Sequence, residues 1–206
     1  MARIDRQARL ETLTQLDAGY WAAGTVMAGI DEAGRGPLAG NVVVGCVVMP
    51  PEPLLLWVDD SKKLSEKRRE SVFEEIMETA LFVGVGEATP EEIDEINILE
   101  ATKLAMRRAA DLIPAEVFLI DAVKNVGLRG REIPYIHGDA VSYSIAAASI
   151  IAKVTRDRQM KALDEAYPQY GFLKHKGYGT AQHIAALREF GPCPAHRRSF
   201  IGNFVK

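Results

Sequence analysis

Apolar runs of strand length occur at four places along this chain. Residues 41–49 contain the run V-V-V-G-C-V-V, and a continuous β-branched run of this length is typical of a buried strand. Residues 117–120 form a similar but shorter run, and residues 81–88 alternate between apolar and polar positions. Together with the apolar run at 26–30, the pattern predicts four strands.

Helical spacing of leucine, isoleucine and alanine covers much of the remaining chain. Ser65 precedes one such pattern and Thr89 another, and both residue types favour the N-cap position. Pro90 suits the first helical position, and acidic residues follow it near the positive end of the helix dipole. The predicted helices lie at 5–20, from 66, from 90, at 141–166 and at 181–190. Three strands followed by a helix, a strand and further helices indicate an α/β protein with a sheet of mixed direction.

Length and composition favour a soluble globular protein. A chain of 206 residues can bury a full core, so we expect one domain over 1–206, with a leading helix in 1–25 and a C-terminal helical extension in 180–206. No apolar run approaches the roughly 20 residues of a membrane span, and the charged N-terminus lacks the apolar core of a signal peptide. We therefore expect a cytoplasmic protein with no membrane partner, in which Cys46 and Cys193 are reduced.

Charge is distributed unevenly along the chain. The formal net charge is −3, which argues against a generally basic nucleic-acid-binding protein. Residues 1–150 contain 15 basic and 24 acidic side chains, whereas residues 151–206 contain 10 basic and 4 acidic ones. The C-terminal part is therefore the better candidate for contact with a polyanion. A solvated, charge-biased helix face is an equally good interpretation of the same asymmetry.

The segment A-G-I-D-E-A-G-R-G-P-L-A-G at residues 28–40 carries the first candidate chemistry. Asp31 and Glu32 end an apolar run, and adjacent carboxylates repel each other unless a cation neutralises them. Because successive strand side chains point to opposite faces, Glu32 reaches the same site as Asp31 only if the chain turns. We expect Ala33 and Gly34 to form that turn. The glycines beside Arg35 allow a phosphate to approach the backbone. The pattern suggests metal-assisted phosphodiester chemistry, with a solvated turn as the alternative; the glycine spacing does not fit a dinucleotide fingerprint.

Further aspartates extend this candidate site. Asp121 ends the run F-L-I-D as Asp31 ends A-G-I-D, and strands that end in this way can bring both carboxylates to one sheet edge. Asp139 and Asp157 are alternative sources of a fourth carboxylate. Four carboxylates could bind two Mg²⁺ or Mn²⁺ ions about 4 Å apart. Taken singly, each aspartate is more often a cap or an ion-pair partner.

Several motifs follow one another between residues 27 and 200: D-E-A-G-R-G-P-L-A-G, D-S-K-K-L, F-L-I-D, G-D, I-A-A-A-S-I-I-A-K-V-T-R-D, Y-P-Q-Y-G-F, H-K-G-Y-G-T and H-R-R-S-F. In this order they closely resemble bacterial ribonuclease HII. The resemblance implies a ribonuclease H-like α/β fold, with a five-stranded mixed sheet flanked by helices and with C-terminal helices. It also implies an endonuclease that cleaves the RNA strand of RNA–DNA hybrids. Incision 5′ of single ribonucleotides in duplex DNA, with 3′-hydroxyl and 5′-phosphate ends, is implied as well, as part of ribonucleotide removal.

The resemblance assigns a metal site to acidic positions of this chain. The four acidic positions of the family, which are both catalytic and metal-binding, fall on Asp31, Glu32, Asp121 and Asp139. They imply a two-metal site for Mn²⁺ or Mg²⁺. Asp157 matches a further recurrent aspartate and is retained as an alternate ligand.

The resemblance also assigns substrate-binding positions. The segment that senses the ribose 2′-hydroxyl and its phosphates falls on Gly34, Arg35 and Gly36. The tyrosine that packs on the deoxyribose after the ribonucleotide falls on Tyr178. The related ribonuclease HIII lacks this arginine, so Arg35 favours type HII.

Other polar residues give weaker signals. Lys62 and Lys153 are candidate phosphate contacts, although each is individually an ordinary surface lysine. The four histidines lack the spacing of zinc ligands, and His175 is a candidate for a position near the substrate. The tail at 199–206 contains two phenylalanines, for which contact with a sliding clamp and coverage of a core edge are the two hypotheses.

Three functions are compatible with these residues. The leading hypothesis is a two-metal endoribonuclease that acts as a monomer on RNA–DNA hybrids and on ribonucleotide-containing duplex DNA. A related nuclease without ribose selectivity would keep the carboxylates and also cleave all-DNA duplexes. A nucleic-acid-binding module with a degenerate site would bind without metal, and the intact carboxylates argue against it.

Overall fold

The computed structural model describes residues 5–205, and five strands form its sheet. They are β1 (Met27–Ala33), β2 (Val42–Val48), β3 (Phe82–Ala88), β4 (Val117–Asp121) and β5 (Arg131–Tyr135). Their order across the sheet is β3-β2-β1-β4-β5. β1, β2 and β3 are antiparallel neighbours, whereas β4 is parallel to β1 and β5 is parallel to β4. The C-terminal ends of β1 and β4 therefore reach the same edge of the sheet.

Helices cover both faces of the sheet and form the C-terminal part of the chain. They are α1 (Arg6–Ala22), α2 (Glu66–Thr79), α3 (Pro90–Ala110), α4 (Tyr143–Ala166), α5 (Phe172–His175), α6 (Ala181–Phe190) and α7 (Arg198–Ile201). Ser65 caps α2, and Thr89 caps α3 through reciprocal hydrogen bonds with Glu92, as the sequence predicts. Asn97 interrupts α3 with a φ of 68°, and its side chain then accepts from the N–H of Leu99 and restarts the helix.

Apolar layers cover both faces of the sheet. α3 packs over one face, where Ile30 and Ile120 are buried, and α4 with α1 and α2 covers the other around Val47. α4 lies very close to β1, because a Cβ atom at Gly29 would lie only 2.1 Å from the carbonyl carbon of Ser144. Only glycine permits this approach, which places the start of α4 directly beside the acidic end of β1.

Helix α1 is tied to two loops at the same end of the sheet. The Arg9 guanidinium donates to Asp59 Oδ1 at 2.8 and 2.9 Å and to the Ala140 carbonyl at 3.0 Å. Asp17 is fully buried and accepts from Ser142 Oγ at 2.8 Å, while its other oxygen accepts from the first turn of α4. Burial raises the pKa of Asp17, and these hydrogen bonds oppose the rise. α1 thereby connects the loop at Asp59 with the segment 140–144 that follows Asp139.

The predicted elements agree with the structure except at two points. The five-stranded mixed fold is confirmed, and the predicted helices and strands are present with ends shifted by a few residues. β1 continues through Ala33, however, so of the two residues expected to form the turn only Gly34, with a φ of 97°, leaves the strand. β5 has no apolar run, because R-E-I-P-Y is a partly exposed edge strand that tolerates Pro134. Only the family resemblance indicated this strand.

The C-terminal tail packs against the protein. Phe200 and Phe204 contact a small cluster around Leu38 and Leu187, so both phenylalanines cover a core edge. Residues 1–4 of the predicted leading segment and residue 206 of the tail lie outside the described residues. Within 5–205 no helix combines the length and the apolar character that crossing a bilayer requires.

Candidate active site

Four acidic side chains lie near one another at the sheet edge formed by β1 and β4. Asp31 and Glu32 lie near the end of β1, and Asp121 ends the parallel neighbour β4. Asp139 enters from a 3₁₀ turn after β5. The N–H of Gly138, in the same turn, donates to Asp121 Oδ1 at 2.7 Å and so fixes this turn beside β4.

The carboxylates at this edge influence one another strongly. Burial raises the pKa of Asp31 well above its ordinary value, and the negative charges of Glu32, Asp121 and Asp139 raise it further. Burial also raises the pKa of Glu32, although the charge of Arg35 opposes this rise. The site therefore carries an excess of negative charge that favours binding of a proton or a cation.

One lysine lies within this negative field. Burial raises the pKa of Asp139, as do Asp60 and Asp121, while Lys62 lowers it. Burial would lower the pKa of Lys62, but the charges of Asp60, Asp139 and Asp31 outweigh burial and raise it. Lys62 is therefore a stable positive charge at the acidic edge.

The donor atoms of this cluster fit a hard divalent cation. Carboxylate oxygens are the ligands that Mg²⁺ and Mn²⁺ prefer. Glu32 Oε2 is buried and has no hydrogen-bond partner in the described structure, and a cation would satisfy this atom. Within residues 5–205 no three His, Cys, Asp or Glu side chains are already gathered as a complete set of ligands. The cluster thus matches a divalent ion in charge and donor type, without a preformed coordination sphere.

Asp157 forms ion pairs with basic side chains. Lys153 Nζ lies 2.7 Å from Asp157 Oδ1, and Arg69 Nη2 lies 3.7 Å from Oδ2. Burial lowers the pKa of Lys153, and the charge of Asp157 opposes this. Asp157 and Lys153 therefore form a pair at the side of the acidic cluster.

A cleft of about 350 Å³ opens beside Asp31 and Glu32. Arg35 is exposed at its rim, with Nη1 3.4 Å from Glu32 Oε1. Tyr178 is half exposed, and its ring faces Gly36. The other residues that line the cleft include Gly34, Ser61, Lys62, Ser149, Lys153 and Arg156. The cleft thus combines two of the carboxylates with every proposed substrate-binding residue.

Two buried arginines lie beneath residues 34–40 and were not predicted from the sequence. Arg156 donates to the carbonyls of Ala39 and Asn41, each at 3.2 Å, and its side chain packs against Gly34. Arg197 donates to further carbonyls of the same segment. The sequence contained only a faint signal, because Arg156 is one of several charged residues in the second half of α4.

Three buried histidines support the loop that carries Tyr178. His183 Nδ1 lies 2.9 Å from the Tyr178 carbonyl and must donate to it, so its Nε2 accepts from His196 Nε2 at 3.0 Å. His196 Nδ1 then accepts from the Cys193 N–H at 3.0 Å. His175 stacks on His183 with ring centroids 4.4 Å apart. The hydrogen bonds place His183 and His196 in neutral form, and none of the three rings lines the cleft beside Asp31.

These histidines predict a loss of stability in weak acid. Burial lowers the pKa of His196 to about 4, and repulsion from His183 when that ring is protonated adds to this effect. Because the unfolded chain has an ordinary histidine pKa of about 6.5, it binds more protons than the native state between pH 6.5 and 4. We expect the free energy of unfolding to fall by about 2 kcal/mol from this residue between pH 7.5 and pH 5. Urea unfolding at the two pH values measures it.

Histidine variants separate this effect from the titration of carboxylates. In His196→Asn the difference in unfolding free energy between pH 7.5 and 5 should shrink by about 2 kcal/mol. His137 is exposed and has a φ of 55°, which asparagine tolerates, so His137→Asn should keep the wild-type difference. An unchanged pH dependence in His196→Asn would contradict the assignment.

Comparison with known proteins identifies the family. The family model for ribonuclease HII matches residues 28–203. The chain belongs to the ribonuclease HII family. It is 54% identical to the ribonuclease HII of Ruminiclostridium cellulolyticum over 182 residues, which cover 87% of this chain and 71% of that protein. It is 52% identical to the ribonuclease HII of Shewanella oneidensis over 201 residues, which cover 94% and 95% of the two chains.

A solved ribonuclease HII structure has the same fold. A chain of the PCNA:RNase HII complex from Archaeoglobus fulgidus matches with a TM-score of 0.73 and 31% identity, and the match covers 84% of this chain and 94% of that one. The predicted ribonuclease H-like fold and the predicted family are therefore confirmed. As a ribonuclease HII, the chain is an endonuclease that cleaves RNA in RNA–DNA hybrids.

Proposed function

We propose that this ribonuclease HII incises duplex DNA on the 5′ side of a single embedded ribonucleotide, leaving a 3′-hydroxyl and a 5′-phosphate. One observation carries the proposal: the acidic edge opens into a cleft lined by Gly34, Arg35, Gly36 and Tyr178. Carboxylates supply the hydrolytic site, and the glycine segment supplies close contact with a sugar. The same arrangement supports a role in the removal of ribonucleotides from DNA.

We infer that Asp31, Glu32, Asp121 and Asp139 hold two divalent ions, Mn²⁺ or Mg²⁺. When bound, such ions supply an activated water and charge stabilisation at the leaving oxygen. The water oxygen forms the new bond to phosphorus, the bond from phosphorus to O3′ breaks, and O3′ takes up a proton. The excess negative charge at the acidic edge favours binding of these ions. Asp157 is the alternate ligand, which would first have to leave Lys153 and Arg69.

The ribose is the feature that the cleft is suited to select. A 2′-hydroxyl both donates and accepts hydrogen bonds, and a site built around it leaves polar groups unpaired when it meets deoxyribose. Gly34 and Gly36 allow the sugar to approach the backbone. Tyr178 offers a flat face for the next deoxyribose, and Arg35, Lys62 and Lys153 offer positive charge to the phosphates.

Cleavage of matched duplexes tests this proposal. One DNA duplex carries a single ribonucleotide, and its control is identical but entirely DNA. We expect a nick 5′ of the ribonucleotide with Mg²⁺ or Mn²⁺, no nick with chelator, and cleavage of the control at least about 1,000-fold slower.

Other results would redirect the proposal. Comparable cutting of both duplexes would retain the metal chemistry and reject ribose selection, leaving a nuclease of the second kind considered above. Binding without cutting under every metal condition would favour a binding module. Cutting of long hybrids alone would reject recognition of a single ribonucleotide.

We propose a monomer in the cytoplasm, and contact with a sliding clamp remains a weaker hypothesis. The Archaeoglobus relative was solved in a complex with PCNA. In this chain Phe200 and Phe204 are packed against Leu38 and its neighbours, so such a contact would require the tail to leave this cluster.

A further inference from the structure

The carbonyl groups of residues 34–40 converge on one buried side chain, Arg197. Its guanidinium donates to Gly34 O at 2.6 Å, Arg35 O at 3.0 Å and Pro37 O at 2.8 Å. Two more hydrogen bonds go to Gly40 O at 2.7 and 2.9 Å. These five bonds use every N–H of the guanidinium, so none remains for a carboxylate.

A charged group in this setting is costly for the fold. Arg197 is fully buried, and burial lowers its pKa to about 9, which still leaves it charged at neutral pH. Buried charges are usually paired directly with an opposite charge, but here every hydrogen bond of the guanidinium goes to a peptide carbonyl. The Phe200 ring lies over it at 5.3 Å, and Asp94 acts on its pKa only through its charge. We therefore ask what the fixed orientation of those peptide groups contributes to function.

The orientation follows from the planarity of the peptide bond. In a trans peptide the C=O and N–H groups point in opposite directions. The carbonyls of Gly34 and Arg35 point inward to Arg197, so the N–H groups of Arg35 and Gly36 point outward. Within residues 5–205 neither N–H donates to another group, and both residues are exposed at the cleft. The next carbonyl held, that of Pro37, belongs to a peptide whose N–H is already bonded to Gly177 O.

We propose that Arg197 is a positioning residue for ribose recognition, which turns the N–H groups of Arg35 and Gly36 into a fixed pair of donors for the 2′-oxygen of the substrate. This inference rests on the proposed function, because it names what sets the preference of that site. Arg197 itself lies behind the segment and touches no substrate. Its effect is on discrimination, not on the metal chemistry.

Kinetics of Arg197→Lys test the proposal in the presence of metal. Lysine keeps the charge but lacks the planar fork that spans four carbonyls. The assay measures KM and kcat on the single-ribonucleotide duplex, with the all-DNA duplex as a competitive inhibitor. For the wild type we expect an inhibition constant about tenfold above KM. In Arg197→Lys we expect KM to rise until the two agree within about threefold, while the inhibition constant stays within about twofold of wild type.

The matched control is Arg198→Lys, since Arg198 is the exposed neighbour in sequence, and it should keep the wild-type ratio. A fall in kcat of Arg197→Lys with an unchanged ratio would mean a merely structural role and overturn the inference. If the wild type cleaves both duplexes at comparable rates, the proposed function fails. If it cleaves only the ribonucleotide duplex but its KM equals the inhibition constant, only the inference fails. If the wild type discriminates and Arg197→Lys does so equally, only the inference fails.

A second measurement decides the case in which Arg197→Lys does not fold. With chelator present to prevent cleavage, the wild-type amide resonances of Arg35 and Gly36 are followed by NMR as each duplex is added to saturation. We expect larger shifts and slower hydrogen exchange of both amides with the ribonucleotide duplex than with all-DNA. Equal responses to the two duplexes would overturn the inference.

Discussion

Replacing Asp121 by asparagine should reduce kcat by at least about 1,000-fold while the affinity for the nucleic acid changes little. Asp121 ends β4 beside Asp31, so loss of its charge weakens the proposed metal site, whose ions contribute several kcal/mol to the transition state. The asparagine carbonyl oxygen can still accept from the Gly138 N–H, so the local fold should persist. Single-turnover cleavage and a binding titration measure the two quantities.

Stability provides an independent check on the same variant. Asp31 carries a raised pKa partly because of Asp121, so removal of that charge relieves repulsion. We expect Asp121→Asn to be more stable than wild type in chelator and to gain less stability from added Mn²⁺. The control is Asp111→Asn, a change at an exposed residue paired with Arg129, which should leave cleavage unchanged. Full activity in Asp121→Asn would contradict the metal assignment.

Gly34→Ala should destabilise the protein by about 3 kcal/mol and remove most cleavage. Gly34 has a φ of +97°, and an added Cβ would lie 2.1 Å from Arg156 Nε and 2.9 Å from the Asn41 carbonyl. Arg156 cannot move aside easily, because its guanidinium is bonded to three carbonyls. Chemical unfolding and the single-ribonucleotide assay measure the two losses.

Two other glycines separate the causes of this effect. Gly24 has a φ of +67° with nothing near its Cβ position, so Gly24→Ala should show only the backbone cost of about 1 kcal/mol. At Gly36 a Cβ would contact only Tyr178 Cε1, at 3.5 Å. Gly36→Ala should therefore keep its stability but bind the substrate more weakly. Equal stability of Gly34→Ala and Gly24→Ala would show that the Arg156 side chain moves aside without cost.

Periodicity predicted most of the fold because most elements bury a continuous apolar face. The strand at 41–49 and the helix at 181–190 are visible in this way, and Ser65 and Thr89 mark helix starts by a local hydrogen bond. β5 escapes such analysis because it is an edge strand with an internal proline. Its position depends on pairing with β4, which local sequence does not encode.

The residues of the candidate site also differ in how far the sequence predicts them. Asp31 and Asp121 could be predicted to approach each other because each ends an apolar strand, and the structure places them on parallel neighbours. Arg197 could not be predicted, because the carbonyls that it holds lie 157 to 163 residues earlier in the chain. Its interactions are with backbone atoms, and backbone acceptors leave no residue-type signal in a sequence.

The contacts of α1 bear on where this chain can be cut or fused. The family match begins at residue 28, after α1 has ended at Ala22, so a fragment trimmed to the match would still contain every proposed ligand. It would lack Arg9, which donates a hydrogen bond to the Ala140 carbonyl next to Asp139, and Asp17, which accepts one from Ser142. For protein engineering, we therefore expect the smallest active unit of this enzyme to extend upstream of the region by which its family is recognised.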